Sequence, residues 1–250
     1  YGLQVEVYSS DVGVLVGALG NTDLSGYTTY RAYITVENEE DFLSAISGDI
    51  VNPTWVTTMT DFYQAPLGGA TPNGINALLF PVYPELEYDS WVTIGLEGAA
   101  DYGAGEADVT IGQSSGNLWI EAFDPGGGIP GSDIIINDFF GGYWFALNDD
   151  ANAIAGEDLR VLVGQFTTTG ELELGLYTQI FIDGNGLNQL EFDGELPTFI
   201  WSSGGGSQLY GCNDEAACNF AECAVEDDGS CVYPEITYLD CEGNCLNDSD

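Results

Sequence analysis

Apolar and polar residues alternate with a period of two over most of the first two hundred positions, the pattern of strands that are buried on one face. In LQVEVY, Val5 and Val7 alternate with polar neighbours. In YTTYRAYITV, Tyr30, Ala32, Ile34 and Val36 share one face. SWVTIGLE, NLWIEAF, DLRVLVGQFT and ELELGLYTQIFID carry the β-branched and aromatic residues that favour pleated, half-buried positions. Clusters of Gly, Asn, Asp and Pro separate them, as in GGATPNG, DPGGGIPGSD and DGNG. Only DFLSAIS (41–47) and the stretch from Asn148 to Leu159 have a spacing that could hold a helical turn. Some ten to twelve short strands without helix-length periodicity predict an all-β fold, an antiparallel two-sheet sandwich of jelly-roll or Ig-like type.

The pattern breaks at SSGGGS (Ser202 to Ser207), which reads as a flexible linker. We therefore expect a sandwich over 1–201, a linker over 202–209 and a small module over 210–250. All six cysteines fall in that last part: Cys212, Cys218, Cys223, Cys231, Cys241 and Cys245. A segment of about forty residues rarely folds without staples. The CxxxC and CxxxxxC spacings suit zinc poorly, so disulfides are expected, with all fifteen pairings of six cysteines open.

Charge narrows the function. There are 41 Asp and Glu against two basic residues, Arg31 and Arg160, giving a formal net charge of −39 with no Lys and no His. Such a chain repels nucleic acid and anionic lipid. Salt offsets its self-repulsion, since the Debye length falls from roughly 8 Å at physiological ionic strength to roughly 3 Å at 1 M. Calcium, a divalent ion suited to carboxylate oxygens, offsets it further. Without His there is no Ser-His or Cys-His relay, and without Lys there is no Schiff base and no P-loop. No apolar run approaches the ~20 residues that span a bilayer, and a Tyr1 start fits a processed chain. Among so many carboxylates, each arginine is expected to form a structural ion pair with an acidic neighbour.

A carboxylate mechanism survives these exclusions. Its best candidate is Glu191-Phe192-Asp193-Gly194-Glu195, since an E-x-D-x-E strand would align three carboxylates as in a retaining glycosidase. Acids this dense produce the spacing by chance, and Gly194 and Pro197 indicate a turn. We therefore expect none of the three to be catalytic. Sugar binding is the alternative, through exposed aromatics among Trp55, Trp91, Trp119, Trp144 and Trp201. Trp55 and Trp201, flanked by polar or turn residues, are the expected exposed pair, while most tryptophans belong in cores.

GCNDEAACNF followed by EDDGSCVYP resembles the GC-x-D-x-x-ACN…DDGSC module of very large secreted proteins of marine Bacteroidetes. DCEGNCLNDSD resembles the segment leading from that module into thrombospondin-type-3-like calcium repeats. Cys223 departs in position, since the extra cysteine of the module lies immediately before DDGSC. GYTTYRAYITVENEEDFLSAISGD, ATPNGINALLFPVYPELEYDSWVTIGL, GGYWFAL and AGEDLRVLVGQFTTTGEL resemble a domain that recurs in the same proteins. The resemblance implies type IX secretion, a cell-surface location and a structural or adhesive role without enzymatic activity. It implies adjacent modules, and other copies in an assembly, as partners.

Asn247-Asp248-Ser249-Asp250 also has the opening spacing of a D-x-D-x-D-G calcium loop. Asp248 and Asp250 would be its first two ligands, with a third expected beyond the last residue. Any protein contact made by the sandwich should centre on aromatic residues in its turns, with Tyr and Trp the candidates.

Overall fold

The computed structural model of the protein describes residues 1–192, 194–204, 210–211 and 226–227. The chain divides into two units, Tyr1–Trp201 and Ser202–Asp250. In the second, Tyr210–Gly211 pairs in parallel with Glu226–Asp227. The cysteines, Asp248 and Asp250 lie outside the described residues.

The first unit is an antiparallel β-sandwich. Its strands are β1 (Gly2–Ser10), β2 (Gly13–Gly17), β3 (Gly20–Leu24), β4 (Thr28–Thr35), β5 (Phe42–Gly48), β6 (Thr54–Thr58) and β7 (Trp91–Val92). They continue with β8 (Thr110–Gly112), β9 (Ile134–Ile136), β10 (Gly142–Phe145), β11 (Arg160–Thr168), β12 (Leu172–Phe181) and β13 (Thr198–Ser202). One sheet has the order β1-β4-β11-β7. The other gathers β8, β10, β5, β12, β6, β9 and β13 around β12, and β2 and β3 form a separate hairpin.

Inward-facing residues of both sheets fill the space between them. Ala32 and Ile34 from β4 and Val161, Val163 and Phe166 from β11 meet Leu43 and Ile46 from β5 and Leu172, Leu174, Leu176 and Ile180 from β12. The aromatic centre is Phe62, Phe123 and Phe166, whose ring centroids are 5.5 to 6.3 Å apart.

Two segments differ from the sequence expectation. Phe42–Gly48 forms strand rather than a helical turn. Phe42, Leu43 and Ile46 have helix-like spacing, but β5 carries an extra residue, Ser44, opposite the Gln179–Ile180 step of β12. That bulge returns both Leu43 and Ile46 to the core, where each is fully buried. Conversely, NLWIEAF holds a helix, α1 (Trp119–Phe123). Trp119 and Phe123, four residues apart, are both buried, and the Gln113 side chain accepts a hydrogen bond from the Ile120 N–H at 2.8 Å. Between Asn148 and Leu159 the expected turns are present as short 3-10 helices, Ala151–Ala153 and Gly156–Asp158.

The larger sheet has one further irregularity. β5 lies opposite Tyr177–Phe181 of β12, and β6 continues opposite Leu172–Gly175. The Thr54 hydroxyl bonds back to the Ser47 carbonyl, so β5 and β6 are one strand interrupted by residues 49–53. Their outer neighbour behaves identically. Gly48 pairs with Gly142 and Thr54 with Ile136, so residues 137–141 leave the sheet at the same level between β9 and β10.

Candidate functional site

The outer face of the β1-β4-β11-β7 sheet carries both basic side chains of the chain. The Arg31 Nη1 donates to Glu97 Oε2 at 2.9 Å, and the Arg160 Nη1 donates to Glu6 Oε1 at 2.7 Å. Each guanidinium also covers an aromatic ring. Arg31 lies 4.0 Å from the Tyr8 centroid and Arg160 lies 4.1 Å from that of Tyr33.

Arg31 is placed by departures from sheet regularity on both sides. In β1 the pairing with β4 skips Tyr8, between Val7 and Ser9. In β11 it skips Val163, between Leu162 and Gly164. A bulge re-aims the side chain it carries and shifts the pairing of the residues after it. Here the first puts the Tyr8 ring against Arg31, and the second brings Gln165 opposite Arg31. Gln165 Oε1 then accepts from Arg31 Nε at 2.9 Å, while its amide donates to the carbonyls of Glu87 and Asp89. The Tyr8 hydroxyl donates to Glu87 Oε1 at 2.9 Å. Partial burial, then this bond, raises the Tyr8 pKa.

A second feature lies in the other sheet, at the two matched excursions. Asp49 Oδ1 accepts from the N–H groups of Val51 and Asn52, and Asp138 Oδ1 accepts from those of Phe140 and Gly141. Each aspartate thus closes an Asx turn whose next two residues are apolar. Ile50, Val51, Phe139 and Phe140 are 63, 78, 76 and 82% exposed. The Phe139 and Phe140 rings meet edge to face, with centroids 5.3 Å apart.

The tryptophans are not where the sugar-binding alternative needs them. Trp55, expected to be exposed, is buried at 7% exposure, packed over Gly175 in the facing strand. Trp201 is half-buried beside Tyr30, with ring centroids 6.1 Å apart. Trp119 and Trp144 pack against each other in the core, and Trp91, on Arg31's face of its sheet, is buried beneath Ile75 and Phe80. Of the Tyr and Trp expected in the turns, Tyr102 is exposed in the turn Tyr102–Ala104, and the two excursions add the apolar pairs Phe139–Phe140 and Ile50–Val51.

Glu191 and Glu195 are exposed and belong to a tight turn in which Phe192 pairs with Glu195. Gly194 takes φ 86° there. Asp193 lies outside the described residues. Among the described residues, no group of three or more His, Cys, Asp and Glu side chains could hold a metal ion, and no helix is long and apolar enough to cross a membrane.

Sequence reading missed Tyr8, Glu97, Gln165 and the excursions. The one available signal was FF between Asp138 and Gly141, an apolar pair in a segment otherwise composed as a turn.

The fold and these two sites define an acidic antiparallel β-sandwich with a charged outer sheet face and an apolar projection. No family model, no curated protein and no solved structure matches the chain.

Proposed function

We propose that the chain is a non-enzymatic structural and adhesive building block of a long secreted cell-surface protein or fibre, stabilised by calcium. The observation that carries this reading is the apolar projection of Ile50, Val51, Phe139 and Phe140 from a chain of net charge −39. Exposed apolar residues grouped at two neighbouring excursions of an otherwise highly charged protein mark a contact site. The absence of Lys and His from the sequence removes the commonest catalytic bases and nucleophile activators.

Magnitudes indicate how such a contact works. Two phenylalanines bury at least about 150 Å² each, worth roughly 7 kcal/mol together at ~25 cal/mol/Å². Association itself costs about 4–15 kcal/mol. One projection is therefore a weak adhesive, and repetition along a fibre converts it into a firm one. The cysteine-rich segment, with the Asp248 and Asp250 spacing, supplies a compact, calcium-stiffened connector in this scheme.

The test is light scattering and electron microscopy of multi-module protein across salt and calcium concentrations. Association should strengthen as repulsion is screened. It should disappear when Ile50, Val51, Phe139 and Phe140 are all replaced by Ser. Non-interacting beads under every condition would defeat the proposal.

A further inference from the structure

A cleft of about 400 Å³ opens beside Arg31, within the ~300–1,000 Å³ range of small-molecule sites. Its apolar lining is Ile75, Leu86, Phe80 and Trp91, and its polar groups are Arg31, Asn76, Glu87, Glu97 and Gln165. Two short 3-10 turns, Ala77–Leu79 and Pro84–Tyr88, supply Ala77, Leu86 and Glu87 to the wall, and Ile75 and Phe80 pack with Trp91, Leu162 and Tyr33 of the sheet.

We propose that this cleft is a binding site for a neutral saccharide. The cleft is part apolar and part polar, and its polar groups are planar. A pyranose has the same division, with an apolar C–H face and a rim of hydroxyls that both donate and accept. Phe80, half-buried and backed by Trp91, supplies the apolar surface. Glu97, whose side chain is 66% exposed, accepts from hydroxyls. Arg31 has five N–H donors, of which Gln165 and Glu97 engage two. Asn76 Oδ1 accepts from the Leu78 N–H, which orients its amide nitrogen as a further donor at the rim.

Charge decides the class of sugar. Two carboxylates, Glu87 and Glu97, flank one guanidinium in a chain of net charge −39, so an anionic sugar meets repulsion. A cation must displace Arg31 from Glu97 or Tyr8 from Glu87, because both carboxylates are already engaged. A neutral polyol meets neither obstacle. The site's polar geometry is fixed before any ligand arrives. Arg31 is held between the Tyr8 ring, Gln165 and Glu97, with its side chain 14% exposed, and such preorganisation lowers the cost of binding.

This site lies in the other sheet from the apolar projection, and its test is separate. The full chain is screened on a glycan array at physiological ionic strength, followed by calorimetric titration with neutral, uronate and sulfated oligosaccharides. Neutral saccharides should bind in preference to both acidic classes. Glu97→Ala and Phe80→Ala should each weaken binding by about tenfold or more, while Glu6→Ala, beside Arg160 rather than Arg31, should not. Thermal melts separate lost binding from lost folding, and the exposed Glu97 provides the variant least able to unfold the domain. The proposal is overturned by preference for acidic saccharides or by unchanged affinity in folded Glu97→Ala. It is equally overturned if no neutral saccharide binds at about 10 mM, where even millimolar sites fill.

Discussion

Gly175 lies directly across the strand pair from Trp55, so close that a β-carbon at 175 would stand 2.1 Å from Cζ2 of the indole. The ring occupies the space a side chain would take, which is why Trp55 is buried and not exposed.

Gly175→Ala should therefore destabilise the sandwich by about 2–3 kcal/mol, the upper part of the range for overpacking a core. In a domain of this size that lowers Tm by roughly 5–10 °C. Gly74→Ala is the control. A β-carbon there meets nothing within 4 Å, so calorimetry should find its Tm unchanged.

Asp89 should make the domain less stable as pH rises. Burial lifts its pKa to about 8, against the lowering effect of hydrogen bonds from Ala65 and Gly69, while nearby Asp124 raises it further. The folded state thus keeps a proton that the unfolded state releases near pH 4. Between about pH 4 and 8 the folded state binds more protons, and stability falls with pH, by at most about 6 kcal/mol. Urea melts of Asp89→Asn should lack this component. The stability gap between wild type and variant should shift steadily in the variant's favour over that window, and a constant gap would refute the assignment.

Asp41 should act in the opposite direction. Burial opposes its ionisation, but hydrogen bonds from the Asp183 N–H, from the Asn38 side chain and backbone, and from Tyr1 prevail and lower its pKa. A depressed pKa gives stability that is present above the unfolded value and lost as pH falls through the folded one. Asp41→Asn should cost about 2 kcal/mol at neutral pH, as expected for charge-assisted bonds. That deficit should shrink as the solution is acidified below about pH 4, where the unfolded carboxylate takes up a proton first, and vanish once the pH passes below the depressed folded pKa.

The disulfide reading of the C-terminal segment predicts that Cys212, Cys218, Cys223, Cys231, Cys241 and Cys245 contain no free thiol. Alkylation of the non-reduced protein followed by mass spectrometry should label none of them. Stoichiometric labelling at Cys223 would refute it.

Periodicity reveals the strands whose two faces differ. In YTTYRAYITV the alternation places Ala32, Ile34 and Val36 inside, and all three are buried. It fails where a bulge alters the count, as at Ser44, and where a buried i, i+4 pair such as Trp119 and Phe123 sits among strand-favouring residues. SWVTIGLE shrinks to the two-residue strand Trp91–Val92, and the chain turns away at Gly95, which takes φ 73°. The cleft is illegible for a different reason. Arg31 meets partners 66 and 134 positions away, and no local window contains Tyr8, Glu97 and Gln165 together. Trp55 defeats a local reading because polar and turn residues (Asn52, Pro53, Thr54, Thr57) flank it, whereas its burial is set by Gly175 across the sheet.

The matched interruptions in the larger sheet also bear on how the surface can diversify. Pairing resumes beyond them in the same register, Gly48 with Gly142 and Thr54 with Ile136, so the ladder is indifferent to what spans the gap. Lengthening such a span is cheap, at about 0.6 kcal/mol per doubling. Residues 49–53 and 137–141 are in effect interchangeable cassettes on a constant chassis. Their content can be rewritten, by mutation or by grafting, while every other strand keeps its alignment.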